Sequence, residues 1–551
     1  MLLGIDVGGT FTDAVLIADG AIVQQAKVAT TQEQILTGIL QALDSVLTQQ
    51  SVAAIERVVI SSTLVTNTLA EGKNAPVFLA VMPGPGMSTV GKFPVTPEVL
   101  TGYIDHRGQV ITAPVLEPER LKLNLEARVA AVSGKFAVRN PVNEQKVVAQ
   151  LAPLGFEKIF SGSELSGELN FVRRTNSAYF AATVYEAFKT FATQVELSMA
   201  ERKITAPLQV LKADGGTLPL AAALTQPVEA IFTGPAASVL GIEALGAPTL
   251  DAISLDVGGT TTDIAFWQNG KPLLAPKGAQ VAGYNTAVRS FYLRSVGIGG
   301  DSLVTRVADV LQVGPQRSGK AMALGGAAPT LTDALLVAGL VTFGNGIAAL
   351  AAMEQLTEPG ETPQQVARRI IATATQTLAT TITAMLKDWR VQPVYTVNDI
   401  MNGTPFEPQL LIGVGGGAPG LVTQLGQELQ LPVQIPSGAM VANAVGAALA
   451  RPTLTGTLRA DTTEGFYSIP EAGLRKRLPA TLQREQAEAI LKSWLLTAAQ
   501  RWQMPTQDVE TLSYEEFFTL HDSYTTGKII TLKMQLQPGI LHKITGREVA
   551  F

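Results

Sequence analysis

Two short segments hold the residues best suited to chemistry. Asp6-Val7-Gly8-Gly9-Thr10-Phe11-Thr12-Asp13 returns 250 positions later as Asp256-Val257-Gly258-Gly259-Thr260-Thr261-Thr262-Asp263, with seven of eight positions identical. Paired glycines let backbone N–H groups approach a phosphate with no Cβ in the way, and threonines in the turn add hydroxyl donors. Gly8, Gly9, Thr10 and Thr12 are therefore candidates to grip a triphosphate from one side, and Gly258, Gly259, Thr260 and Thr261 from the other. Asp6 and Asp256 stand at the ends of their strands, where a carboxylate can hold Mg²⁺ through water while the metal bridges phosphate oxygens. Asp13 and Asp263 have two readings: they orient an attacking water or substrate, or they tie down the turn.

A third segment, Leu410 to Gly420, is an apolar run entering Gly415, Gly416 and Gly417 and opening a helix. Alone it satisfies a dinucleotide-type glycine pattern. That pattern needs an early βαβ unit and an acidic residue about 20 positions on, and here the next helix ends at Leu431-Pro432. Beside the two hairpins it reads better as a flat platform for adenosine. No Gly-Lys is followed by Ser or Thr, so no competing phosphate loop of that type exists, and there is no GxSxG nucleophile elbow. The three histidines share no metal-ligand spacing, and Asp105-His106-Arg107-Gly108 reads as a turn. Arg173-Arg174 reads as a solvated pair ahead of a long helix.

The elements that must position these groups follow from the apolar pattern. Leu2 to Ile5 and Ala14 to Ile17 flank the first glycine turn, and Ile253 to Leu255 and Ile264 to Phe266 flank the second, so each reads as a β-hairpin. The spacing is too long for a solenoid, which leaves two copies of one α/β domain with a cleft between them. In the first copy a helix over Gln32 to Leu47, a strand at Val58 to Ser61, a helix from Val65 and a strand at Val77 to Val81 are predicted. Thr63 and Asn67 follow the first of these strands and either touch substrate or cap the helix. A bridging helix over Arg174 to Glu201 and a strand at Leu208 to Leu211 lead to the second copy, which holds a long helix from Pro363 and a strand at Gln409 to Val414.

Composition bounds the rest. At 551 residues the chain exceeds one core, and 46% hydrophobic with 16% charged residues describes a well-cored protein. A net charge of −5 gives no broad positive field for nucleic acid or an anionic membrane. With no cysteine, any metal must use oxygen or histidine ligands. The opening residues lack a secretory pattern, so a cytoplasmic location is expected. Ala334 to Met353 is uncharged and long enough to test as a membrane span, but Gly339, Gly344, Asn345 and Gly346 split it into two short buried helices.

In order, these features resemble the actin-like, sugar-kinase and heat-shock ATPase superfamily, and more narrowly the N-methylhydantoinase A-like members of the hydantoinase/oxoprolinase family. The narrower resemblance rests on Gly4 to Asp13, Ser62, Thr63 and Asn67, and Thr233-Gly234-Pro235-Ala236. It continues through Asp214-Gly215-Gly216, Ser295-Val296-Gly297, Pro329-Thr330 with Thr332-Asp333, and the glycine platform, covering residues 1 to 452. Gly299-Gly300-Asp301-Ser302 departs from the family's three glycines and serine, and Ser318 to Gly326 replaces a Cys-containing segment rich in Pro and Gly.

The resemblance implies an α/β fold with two RNase-H-like lobes, residues 1–166 and residues 167–453, around an interlobe nucleotide cleft; past Pro452 the pattern changes, with charged residues thickening around Arg475 to Glu488 and a late strand at Ile529 to Leu536, so 454–551 reads as an appended α+β region. It implies ATP and Mg²⁺ as cofactors and phosphoryl activation of a cyclic amide carbonyl before ring opening. A hydantoinase B-type subunit is the expected partner, with a homo-oligomer left open. A nucleotide-switched ATPase and a small-molecule kinase are the alternatives.

Overall fold

The computed structural model describes residues 1–30, 35–47, 52–70, 72, 75–116, 127–392, 405–478, 482–505, 508–521 and 524–546. The expected helix start, Gln32 to Gln34, lies outside them.

The first sheet begins with β1 (Leu2–Val7), β2 (Phe11–Ala18) and β3 (Ala21–Ala29), an antiparallel meander in which Asp6 pairs with Asp13 and Asp13 with Lys27. After α1 (Ile35–Leu47), β4 (Arg57–Ser62) returns parallel to β1 and leads into α2 (Leu64–Ala70). The chain then leaves to build a second sheet around the parallel pair β5 (Val77–Met82) and β6 (Val129–Gly134). It comes back through the long α3 (Phe171–Glu201), where the Asn170 side chain caps the Arg173 N–H. Strands β7 (Leu208–Leu211) and β8 (Thr217–Pro219) then complete the first sheet, in the order β8-β7-β4-β1-β2-β3.

The second copy repeats that order. Following α4 (Thr233–Gly246), β9 (Ala252–Val257) and β10 (Thr262–Gln268) pair antiparallel, with Asp256 opposite Asp263. The edge strand β11 (Lys271–Pro272) lies beside β10, while β12 (Leu410–Val414) and β13 (Val433–Gln434) add parallel on the other side of β9. Numbered over the strands named here from its own first strand, the first sheet runs 3-2-1-4-5-6 and the second 3-2-1-4-5, with Leu293–Val296 added on β10 of the second. The hairpin echo therefore reflects a duplicated topology.

Two expectations need correction. Sheet membership places β7 and β8 with the first unit, beyond the expected division at 166/167, because the second sheet is inserted between β4 and β7. Arg174 is not solvated: it is fully buried, and its guanidinium donates to the carbonyls of Gly134, Lys135 and Glu168. The uncharged stretch divides at its glycines, as expected, into helices at Leu331–Val337 and Gly346–Glu354. No helix among the described residues is long and apolar enough to cross a membrane.

After β13 the chain forms α5 (Ala442–Leu449), which crosses over to pack on the first sheet. A Cβ on Gly4 in β1 would lie 2.1 Å from the Ala444 carbonyl oxygen. The crossing of α4 and α5 is closer still. A Cβ on Gly241 would lie 2.0 Å from the Ala442 carbonyl oxygen, and one on Gly446 would lie 2.0 Å from the Ala237 carbonyl oxygen. Only glycine permits this backbone approach. A five-stranded antiparallel sheet from Thr455 to Leu536 follows, backed by the helix Arg484–Arg501, and the last described residues return to the first copy, where the Thr545 N–H donates to Gly20 O at 3.0 Å.

Two tests follow from this packing. Gly446→Ala is expected to cost about 1–3 kcal/mol despite alanine's better helix propensity, lowering the melting temperature by calorimetry. Gly346→Ala, whose Cβ meets nothing within 4 Å, serves as the near-neutral control. At the seam between the first sheet and the C-terminal sheet, burial pushes the Glu229 carboxyl up to about 7 from 4.5, against the pull of Lys212. Folding then favours the protonated form, so this stability contribution is full below about pH 4.5 and is lost as pH rises through about 7. Glu229→Gln should raise the melting temperature at about pH 8 and leave it nearly unchanged at about pH 4.5.

Candidate functional site

Both glycine turns close with the same hydrogen bond, Gly8 N–H to Phe11 O at 3.0 Å and Gly258 N–H to Thr261 O at 3.0 Å. They face one another across a single cavity of 860 Å³ between the two copies. The approach is close: a Cβ on Gly259 would lie 2.3 Å from Thr10 Oγ1, and one on Gly9 would lie 3.5 Å from Thr260 Oγ1. The third glycine segment joins them, since Gly415, at φ +87°, could carry no Cβ without striking the Val257 carbonyl oxygen at 2.5 Å. Gly416 and Gly417 line the same cavity.

Asp6, Asp13, Asp256 and Asp263 all line this cavity, because cross-strand partners in an antiparallel pair share one face. All four are buried or nearly so, and their carboxyls titrate high. Burial pushes Asp6 up to about 7, with Asp13 and Asp256 adding to the rise and hydrogen bonds from Ser61 and Asn443 opposing it. Burial likewise brings Asp256 to about 7, reinforced by Asp263 and opposed by Asn443 and Lys27. Asp263 is pushed to about 6 by burial. Asp13 is raised by burial while Lys27 holds it down, with Nζ 2.8 Å from each carboxylate oxygen. Asp6 Oδ1 and Asp263 Oδ1 are buried without a hydrogen-bond partner. Four carboxylates lining one cavity, two of them with unpartnered oxygens, have the donor chemistry to attract a hydrated divalent cation.

Thr63 and Asn67 also line the cavity, and they serve the local helix as well: the Asn67 N–H donates to Thr63 O at 2.8 Å, and Asn67 Nδ2 lies 3.3 Å from Thr63 Oγ1. Thr12 is not brought to the site. It alternates to the opposite face from Asp13, is fully buried, and its hydroxyl meets Thr30 Oγ1 at 2.9 Å. Thr262, at the matching position, donates to Ile298 O at 2.7 Å.

Several contributors carry no spacing signal. Asn443, at the start of α5, donates to Asp256 Oδ2 at 2.9 Å from a segment nearly 190 residues away. The Thr233 hydroxyl donates to Ser62 O and accepts from the Ser62 N–H, both at 2.9 Å, tying the start of α4 to the end of β4. The preceding residue, Phe232, has φ +51° and faces the cavity, and its N–H is held by Thr66 Oγ1 at 3.0 Å. Across the mouth, Thr10 Oγ1 donates to Asp301 Oδ2 at 3.2 Å, and Arg317 bonds both Asp301 Oδ2 at 3.0 Å and Gly9 O at 3.3 Å. Asp301, the departure noted in the sequence, is thus part of a clasp between the two copies. Among the described residues no group of three or more His, Asp or Glu side chains has the arrangement of an all-protein metal cage.

Comparison with known proteins agrees with this architecture. The hydantoinase/oxoprolinase model matches residues 174–455, and the hydantoinase/oxoprolinase N-terminal region matches residues 2–153. The chain is 25% identical over 391 residues to the alpha subunit of the caprolactamase of Pseudomonas jessenii, covering 62% of this chain and 55% of that protein. It is 25% identical over 398 residues to the acetophenone carboxylase gamma subunit of Aromatoleum aromaticum, covering 62% and 53%. The chain thus spans about half the length of these curated relatives. The crystal structure of the ATP-dependent caprolactamase from Pseudomonas jessenii shares the fold at a TM-score of 0.69 and 20% identity, covering 100% of this chain and 89% of that one. With one model spanning more than half of its residues and another most of the remainder ahead of it, the chain belongs to the hydantoinase/oxoprolinase family.

Proposed function

We propose that the chain binds ATP between two actin-like, RNase-H-type lobes and uses it to activate the carbonyl of a cyclic amide for ring opening. The observation that carries this reading is the convergence of two matching glycine hairpins, their four carboxylates and a glycine platform on one cavity. The names of the relatives point the same way, since one of them is a caprolactamase. Gly8, Gly9 and Thr10 face Gly258, Gly259, Thr260 and Thr261, and their N–H and hydroxyl groups are the donors for a triphosphate. Gly415 to Gly417 supply the flat surface for adenosine.

Asp6 and Asp256 fit a hydrated Mg²⁺, Asp6 through its unpartnered Oδ1 and Asp256 with its other oxygen steadied by Asn443. When bound, the ion supplies positive charge to the phosphate oxygens. Lactam nitrogen donates into its carbonyl and makes it a poor electrophile. Transfer of the γ-phosphoryl group to the carbonyl oxygen turns that oxygen into part of a leaving group, with ADP released. Water then adds to the carbon, the C–N bond breaks as nitrogen takes a proton to leave an acyl phosphate, and a second water hydrolyses that acyl phosphate to the carboxylate and inorganic phosphate. Such transfer asks the protein for alignment and charge stabilisation more than for covalent chemistry. Asp13, fixed by Lys27, and Asp263 are placed to orient the water or the substrate. Phe232, Phe291 and Tyr292 give the cavity an apolar wall suited to a small ring, with Thr63 and Asn67 beside it. The relatives described as subunits make a B-type partner the natural companion of this chain, which works in the cytoplasm on this reading.

The test is Mg²⁺-dependent phosphate release from ATP by the purified chain, alone and with a B-type partner, against hydantoins, lactams and 5-oxoproline. Asp6→Asn and Asp256→Asn should each lower kcat/KM about 100-fold or more. A stable phosphorylated product would replace the proposal with the kinase reading, and slow turnover indifferent to every small molecule would replace it with the switch. Arg317→Gln should weaken ATP binding roughly tenfold in a calorimetric titration, because it leaves the Asp301 carboxylate uncompensated beside the phosphate-facing turn. Unchanged affinity would remove the clasp from the site.

A further inference from the structure

A second cavity of 550 Å³ lies away from the glycine turns, where three parts of the chain meet. Its floor is the end of the first sheet, with Lys212 and Asp214, and the turn carrying Glu229. One side is the inserted unit from Lys158 to Gly167, and the other is the C-terminal region. The size falls in the range that encloses a small molecule, and junctions between domains favour such sites.

Its lining combines two features that no structural role absorbs. The lining holds four carboxylates, Glu164, Asp214, Glu229 and Glu471, against five cations, and the first feature is that three of those cations make no ion pair among the described residues. Lys212 is buried and satisfied, 3.4 Å from Asp214 Oδ2 and 3.9 Å from Glu229 Oε2, and Lys533 pairs with Glu168 at 2.6 Å. Arg289 bonds the amide oxygen of Gln535, with Asp214 and Glu229 near enough to feel its charge, Lys158 lies over Phe160 with Glu164 near, and Arg501 lies over Trp502; none of the three has a carboxylate at ion-pair distance among the described residues. The second is a wall of Trp494 and Trp502 with Leu454 and Ala498. Trp494 is held in place by the close passage of Gly456, where a Cβ would come within 2.5 Å of the indole. Thr453 adds an independent sign. It is fully buried, it lines the cavity, and its hydroxyl has no hydrogen-bond partner. A buried hydroxyl with nothing to bond is costly unless a ligand or water meets it.

Planar guanidinium groups match a carboxylate in a forked arrangement, and indole faces cover an aliphatic chain at little entropic cost. We propose that this cavity is a binding site for a small organic carboxylate with an aliphatic body, its carboxylate held by Arg289 and Arg501 and its chain lying against Trp494 and Trp502. The site stands apart from the glycine-lined cleft and does not depend on the reading of that cleft.

The full-length chain would be titrated calorimetrically, and by tryptophan fluorescence, with hexanoate, glutarate and, separately, inorganic phosphate. Saturable binding of at least one carboxylate is expected, weakened about tenfold or more in Arg289→Gln and in Arg501→Gln, and unchanged in Asp6→Asn, which alters only the other cleft. Arg501 is exposed, so its variant decides the matter should Arg289→Gln fail to fold. Three results would each overturn the assignment: no saturable carboxylate binding, binding of phosphate alone, or equal carboxylate affinity in the wild-type chain and Arg501→Gln.

Discussion

The structure depends on one steric constraint, the backbone contact between the helices Thr233–Gly246 and Ala442–Leu449. Gly241 and Gly446 let each helix press against the other's carbonyls, at positions where any Cβ would sit about 2.0 Å from an oxygen. Such interlocked backbone packing leaves little freedom to slide. Because the second helix also lies on Gly4 of the first hairpin strand, and carries Asn443 to Asp256 of the second hairpin, the contact sets how the two turns face each other. A longer side chain at these glycines would move the glycine-turn groups that line the cavity, far from the point of substitution.

The cavity that results sets desolvation against function. Burial raises the pKa of all four carboxyls and neighbouring carboxylates add to the rise at Asp6, Asp256 and Asp263, while the chain offsets this with Lys27 on Asp13, Asn443 on Asp256 and Ser61 on Asp6. The offset is partial, which is the condition in which a site draws a cation from solution. The Asp301–Arg317 clasp has the same logic at the rim: a carboxylate is admitted beside Thr10 only with a guanidinium attached. The second cavity differs in that arginines without ion partners, Arg289 and Arg501, stand there beside indole faces.

Burial also decided roles that residue type alone suggests otherwise. Arg174 looks like a surface cation and instead closes off three carbonyls inside the inserted unit. Thr12 looks like a turn hydroxyl and instead bonds Thr30 behind the sheet. In each case the alternation of faces along a strand, or the turn of a helix, directs the side chain away from the partner that its chemistry invites.

The sequence by itself determined the two hairpins, the glycine platform and the carboxylates Asp6, Asp13, Asp256 and Asp263, because turn chemistry and apolar periodicity are local and because a motif repeated in one chain marks a repeated fold. Those local signals also located the break in the uncharged stretch and most of the long helices. Only the tertiary structure decided that Leu208–Leu211 completes the first sheet across an insertion, that Asn443 and Lys27 serve the carboxylates, and that Asp301 and Arg317 join the two copies. These contacts join residues distant along the chain, apart from the cross-strand pair of Asp13 and Lys27. No propensity or spacing encodes them, and they exist only once two sheets and two glycine-lined helices have fixed the distance between the two copies.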